Sequence, residues 1–162
     1  MEKGKIIVAS VAALTYLITM GNPSHLGFTS SSPWWTHLTY PFVHVSVIHL
    51  AVNLTALLAL WNGRHMNRFL LLALAYLAAV SSSLFFMKDI PTLGMSGIVF
   101  GMVGLKYATA ITERNTLYAA VMLAAGCIPV GMNITVHMLS FLFGFTFGLI
   151  TAAFHTLRHE YR

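Results

Sequence analysis

The chain has 162 residues, of which 57% are hydrophobic and only 8% charged, and its mean hydropathy is +0.77. Soluble domains run near a quarter charged, so this composition excludes one and points to an all-α protein held in a lipid bilayer. The net charge of +5 comes from lysines and arginines scattered singly between apolar runs, with no basic stripe, which excludes nucleic acid as a partner.

Apolar runs predict six spans, at 5–20, 44–61, 69–87, 96–111, 117–132 and 134–157, in a single polytopic membrane domain over 1–162 with no appended soluble domain. The first run has a basic flank, but no small-residue cleavage site stands out and equally apolar runs follow, so it is expected to be retained as a span. Segment 21–43 carries Trp34, Trp35 and Tyr40, amphipathic rings suited to the headgroup region, and is expected to lie partly in the interface.

The second run contains "HVSVIHLAVN". His49 and Asn53 are four residues apart, about 40° around a helix, and so share a face. His44, five residues before His49, is expected to face elsewhere. Polar side chains at membrane depth are costly, so His49 and Asn53 are either hydrogen-bonding glue between helices or parts of a site.

Leading into and through the start of the fourth run is "PTLGMSGIVFGMVG", 91–104. Ser96 opens the fourth span between Gly94 and Gly97. It is either a helix cap or a hydroxyl held where unsatisfied N–H groups and the helix dipole favour an oxyanion. The pattern is G-x-S-G, and Ile98 keeps it from matching the G-x-S-x-G elbow of soluble hydrolases. The lone cysteine, Cys127 in the fifth run, excludes an internal disulfide and reads as a small buried hydrophobe.

His137 comes four residues into the sixth run, with Ser140, Gly144 and Gly148 following on its face. Gly97, Gly101 and Gly104 give the fourth run a matching stripe of small residues. Two such stripes let helix backbones approach closely and carry His137 to Ser96; packing alone, with a satisfied histidine, is the alternative.

With the N-terminus inside, the cytoplasmic segments hold Lys3, Lys5, Arg64, Arg68, Arg114, Arg158 and Arg162, Lys106 snorkels inward, and Lys88 alone lies outside, as the positive-inside rule asks. Both termini are then cytoplasmic, and Ser96 and His137 share the outer-leaflet depth. The four acidic residues, Glu2, Asp89, Glu113 and Glu160, all fall outside the spans, so a triad is not expected, although Asp89 in an outer loop remains able to orient a partner. A dyad is left, with Ser96 as nucleophile and His137 as general base. Eight histidines raise a transporter or a metal or haem carrier as an alternative. Yet His25, His37, His65, His155 and His159 fall in loops or at ends, and no cysteine or carboxylate joins the buried ones, so neither metal nor cofactor is expected.

Three features together, H-x-x-x-x-H-x-x-x-N at His44, His49 and Asn53, G-x-S-G at Gly94 to Gly97, and His137 heading Ser140 and Gly144, resemble the rhomboid family of intramembrane serine proteases. The likeness runs from about Trp34 to Gly148. It implies a six-transmembrane-helix rhomboid fold whose site opens to the extracytoplasmic side, in what is expected to be a prokaryotic plasma membrane. Ser96 would attack the scissile carbonyl, and His137 would activate it and protonate the leaving amine. His49 and Asn53 would join the Ser96 backbone N–H in an oxyanion hole, His44 would support the first loop, and Gly94 and Gly97 would let backbone approach the substrate. The substrates implied are membrane-anchored proteins cut in or near a transmembrane helix.

The sequence departs from the family pattern at Thr36, which follows Trp35 where Trp-Arg is common. Phe100 stands where tyrosine is usual and can still pack on His137, and Ser140 stands where glycine is common. A rhomboid-like protein that binds membrane clients without catalysis is the alternative within the family; its members usually lose the serine or the histidine.

Overall fold

The computed structural model describes residues 3–20, 23–61, 66–85, 89, 91–127 and 133–160, with the side chains of 125–127 and 155–160 excepted. Glu2, Arg64, His65, Lys88 and Arg162 lie outside the described residues, as do the side chains of Cys127, His155, Arg158, His159 and Glu160.

Each apolar run folds as a helix. In chain order these are α1 (Lys3–Thr19), the one-turn α2 (Thr36–Thr39), α3 (Val47–Leu60), α4 (Arg68–Phe85), α5 (Ser96–Thr109), α6 (Glu113–Cys127) and α7 (Ile134–Glu160), with 3-10 turns at Pro23–Leu26 and Tyr40–Phe42. Among the described residues the one extended pairing is an isolated antiparallel bridge between Phe28 and Thr92. The fold is therefore all-α.

Two helices, α4 and Ile134–Phe154 of α7, are long and apolar enough to cross a bilayer alone, and Thr36–Phe42 with Val47–Leu60 adds a third if that pair, bent by 89°, is one span. Taken singly and among the described residues, the remaining long helices are shorter than that. α1, α3, α5 and α6 have 17, 14, 14 and 15 residues, and a 14-residue helix reaches only about 21 Å against a hydrocarbon core of about 30 Å. Two to three apolar spans thus stand among the described residues where the sequence led us to expect six.

Local chemistry sets the helix starts. Ser46 is extended (φ −154, ψ 160) and its Oγ accepts the His49 N–H at 3.1 Å, so α3 begins at Val47 rather than at His44. This corrects the placement of His44: it precedes the helix, and its ring meets that of His49 edge-on at 5.1 Å instead of facing away. Likewise α6 begins at Glu113, four residues early, because the Thr112 hydroxyl accepts the Asn115 N–H and a carboxylate suits a helix N-terminus.

At the centre lies α5, buried without a break from Gly97 to Leu105. It is gripped from two sides. A Cβ built on Gly101 would stand 2.9 Å from the Ala75 carbonyl oxygen of α4, one built on Gly144 would overlap the Gly101 carbonyl oxygen, and one built on Gly104 would overlap that of Phe141. Gly148 continues the α7 contact, its Cβ position lying 2.8 Å from the Leu105 oxygen. Close approach of backbones is what small residues at this spacing permit. Between α4 and α7 the fully buried Ser82 and Ser140 meet hydroxyl to hydroxyl at 2.8 Å, and Ser82 donates to the Ala79 carbonyl at 2.7 Å.

In the first loop Trp34 is 75% exposed and Trp35 is also exposed, but Tyr40 is buried at 1%. Tyr40 is thus not the headgroup ring expected of it; its hydroxyl finds an acceptor inside, the Ala79 carbonyl at 2.9 Å. Lys106 Nζ donates to the Leu60 carbonyl at 2.9 Å and so satisfies one of the orphan acceptors at the end of α3.

Candidate active site

Residues 91–95 lead into α5, and they are held strand-like against the first loop. Thr92 N–H donates to the Phe28 oxygen at 3.0 Å and Phe28 N–H returns the bond at 3.3 Å, while Gly94 N–H donates to the Tyr40 oxygen at 2.9 Å. Met95 N–H donates to His44 Nε2 at 3.4 Å, so His44 is the buried acceptor through which the start of α3 supports the segment before Ser96. Gly94 has φ +103, a conformation that suits glycine, and the turn it makes delivers Ser96 as the first residue of α5. Met95, at the cap position, offers no side-chain cap.

Ser96 is not acting as a cap. Its Oγ lies 2.8 Å from His137 Nε2. The His137 ring is 4% exposed and stacks on Phe100, one turn below Ser96, with centroids 4.5 Å apart and planes at 14°. Gly97 gives room at the next position: a Cβ there would be 2.8 Å from the Tyr40 hydroxyl and 3.3 Å from Ser140 Oγ. Ser140 sits one turn after His137 and packs behind the pair.

His49 and Asn53 border the same turn. A Cβ built on Gly94 would come within 2.6 Å of His49 Cε1, 2.8 Å of its Nε2 and 3.7 Å of Asn53 Nδ2, so only a glycine leaves the imidazole where it is. Asn53 is buried and its Nδ2 donates to the His49 carbonyl at 3.0 Å, which pins the amide along the helix. Serine, histidine, a second histidine and an amide thereby converge on the N-terminus of α5, where the helix dipole is positive. A hydroxyl beside an imidazole, with donors close by, is the arrangement needed to form and stabilise a tetrahedral oxyanion.

Asp89 serves elsewhere: its carboxylate accepts the Ser30 hydroxyl and ties the loop before Thr92 to the first loop. Thr36, the departure after Trp35, is buried and donates its hydroxyl to the Pro33 oxygen at 2.6 Å, stapling the turn into α2. His37 is buried as well. It stacks on Phe28 at 5.0 Å, and its Nδ1 lies 3.0 Å from the Ser83 hydroxyl.

Sequence reasoning missed three contributors, Ser82, Thr92 and Asn133, and gave a fourth, Tyr40, to the headgroup layer. Only Asn133 carried a local signal, since asparagine just ahead of an apolar run is a helix-start signature; its Oδ1 accepts the Val136 N–H at 3.3 Å.

A family model described as the Rhomboid domain matches residues 31–156. The chain is 26% identical over 131 residues to Inactive RHOMBOID-like protein 8 of Arabidopsis thaliana, a match covering 78% of this chain and 36% of that protein. It is 35% identical over 89 residues to Rhomboid protease GluP of Bacillus subtilis (strain 168), covering 51% of this chain and 17% of that one. The chain therefore spans well under half the length of either curated relative.

Proposed function

The chain belongs to the rhomboid family, and on that premise we propose that it is an intramembrane serine endopeptidase, cleaving membrane-anchored proteins in or near a transmembrane helix with Ser96 and His137 as a dyad. The observation that carries this reading is the 2.8 Å contact between His137 Nε2 and Ser96 Oγ. The Bacillus relative, named a rhomboid protease, agrees with it.

His137 takes the Ser96 proton as Oγ bonds to the scissile carbonyl carbon, and the carbonyl π pair moves onto oxygen. When that oxyanion collapses, the C–N bond breaks and His137 hands its proton to the departing amine. Water, deprotonated by His137, then attacks the acyl ester and releases the new carboxyl end, restoring the serine hydroxyl. The Ser96 N–H, His49 and Asn53 are the donors for the oxyanion, each of the order of 3 kcal/mol in a water-poor pocket. The substrate helix must open first, because its peptide groups are otherwise hydrogen-bonded and shielded. In this reading one membrane domain holds the site, which faces the extracytoplasmic side.

A second reading, a client-binding protein without catalysis, is favoured by the Arabidopsis relative, which is named inactive. A fluorophosphonate probe separates the two. Folded wild type should take up the probe and cut a membrane-anchored test protein, and Ser96→Ala and His137→Ala should do neither. A folded wild type that remains unlabelled and cuts nothing overturns the protease reading.

A further inference from the structure

Asn133 uses both ends of its carboxamide. It stands 8% exposed immediately before α7; its Oδ1 caps the helix through the Val136 N–H at 3.3 Å, and its backbone oxygen accepts the His137 N–H at 3.2 Å. From the other end, Nδ2 donates to Thr92 Oγ1 at 2.9 Å. Thr92 is itself fixed by its two backbone bonds to Phe28, and Ser96 follows four residues later. We propose that Asn133 is a positioning residue that sets the Ser96 to His137 separation by clasping the segment before α5 to the first turn of α7. The inference rests on the dyad reading above.

The residue type fits this double task. Serine and aspartate cap a helix about as well as asparagine, so capping alone does not call for an amide. The amide supplies an acceptor and a donor at once. The position fits too. The glycine contacts between α5 and α7, at Gly101 with Gly144 and at Gly104 with Phe141, lie deeper along both helices than the dyad. They hold its lower side, and a helix end above such a contact frays unless something ties it down. The Asn133–Thr92 bond is that tie, and with it Ser96 and His137 are bracketed from both sides.

Three substitutions test the clasp, each followed by fluorophosphonate labelling rate, by kcat and KM on a membrane-anchored substrate, and by melting temperature. Asn133→Ser keeps a cap acceptor but cannot reach Thr92; Thr92→Val removes the acceptor without touching α7; Thr92→Ser keeps the hydroxyl. A serine and base displaced by a fraction of an ångström lose rate, so the first two variants should label and turn over about tenfold more slowly or worse, with KM and melting temperature close to wild type. Their double variant should be no slower than the slower single one, and Thr92→Ser should recover most of the loss. Wild-type labelling rates in Thr92→Val and Asn133→Ser overturn the clasp while leaving the dyad standing. A loss that Thr92→Ser shares, or one that appears in KM or melting temperature alone, also overturns it. A wild type that never labels overturns the dyad reading and the clasp with it.

Discussion

Gly101 and Gly144 meet backbone to backbone, so closely that a Cβ on Gly144 would overlap the Gly101 carbonyl oxygen. Ser96 lies five residues before the first and His137 seven before the second. The contact therefore holds, a turn or two away, the lower side of the hydroxyl on one helix and the imidazole on the other.

Gly144→Val should drive α5 and α7 apart, because the neighbouring atom is backbone and cannot rotate away. Overpacking of this kind costs about 1–3 kcal/mol, and the loss of register should remove cleavage as well. A melting curve in detergent, followed by circular dichroism, reads the first effect. An unchanged midpoint would refute the packing.

Gly94→Ala faces two penalties, a φ of +103 that L side chains resist and a methyl within 2.6 Å of the His49 ring. Strain of about 1–3 kcal/mol is expected, released by tilting His49 out of place. Fluorophosphonate labelling should slow markedly while the protein stays helical. Labelling at the wild-type rate would show that His49 does not have to stand there.

Asn53→Ala tests the proposed oxyanion donor. A donor that acts in the transition state contributes to turnover, so kcat should fall by about 10²–10³ with KM little changed. Steady-state cleavage of a transmembrane substrate measures both constants. A change confined to KM would make Asn53 a binding residue instead.

Ser82 and Ser140 give an asymmetric pair of outcomes. Ser82 spends its proton on the Ala79 carbonyl, so Ser140 is the donor between them. Ser82→Ala strands a buried hydroxyl on Ser140 and should cost more, about 1–3 kcal/mol, than Ser140→Ala, which leaves Ser82 bonded. Denaturant titrations of both single variants and the double one give the order. Equal losses would mean that the two hydroxyls do not depend on each other.

Where the sequence was readable, it was so because the signal was local. Apolar runs marked six helices, and the histidine, serine and glycine spacings singled out residues that the fold gathers at one end of α5. The start of α3 was misjudged because hydrophobicity does not stop at His44, whereas the Ser46 side chain does stop the helix there. Tyr40 was misplaced for a different reason: an amphipathic ring suits a headgroup layer equally well, and the carbonyl that receives its hydroxyl lies 39 residues away. The same holds for Asn133, whose cap is legible in four residues but whose bond to Thr92 joins positions 41 apart. Of the six spans expected from composition, two to three stand among the described residues by length and apolarity, since caps and turns take the ends of the other runs.

Lys106 and His44 lace one pair of helices at opposite ends, the ammonium on the last carbonyl of α3 and the imidazole on the amide just before α5. Helices pinned at one end can pivot, and those pinned at both can neither slide nor scissor without breaking a sheltered bond. Ser96, His49 and Asn53 are consequently expected to shift together, and the Met95 amide should be among the last in the chain to exchange its hydrogen with solvent.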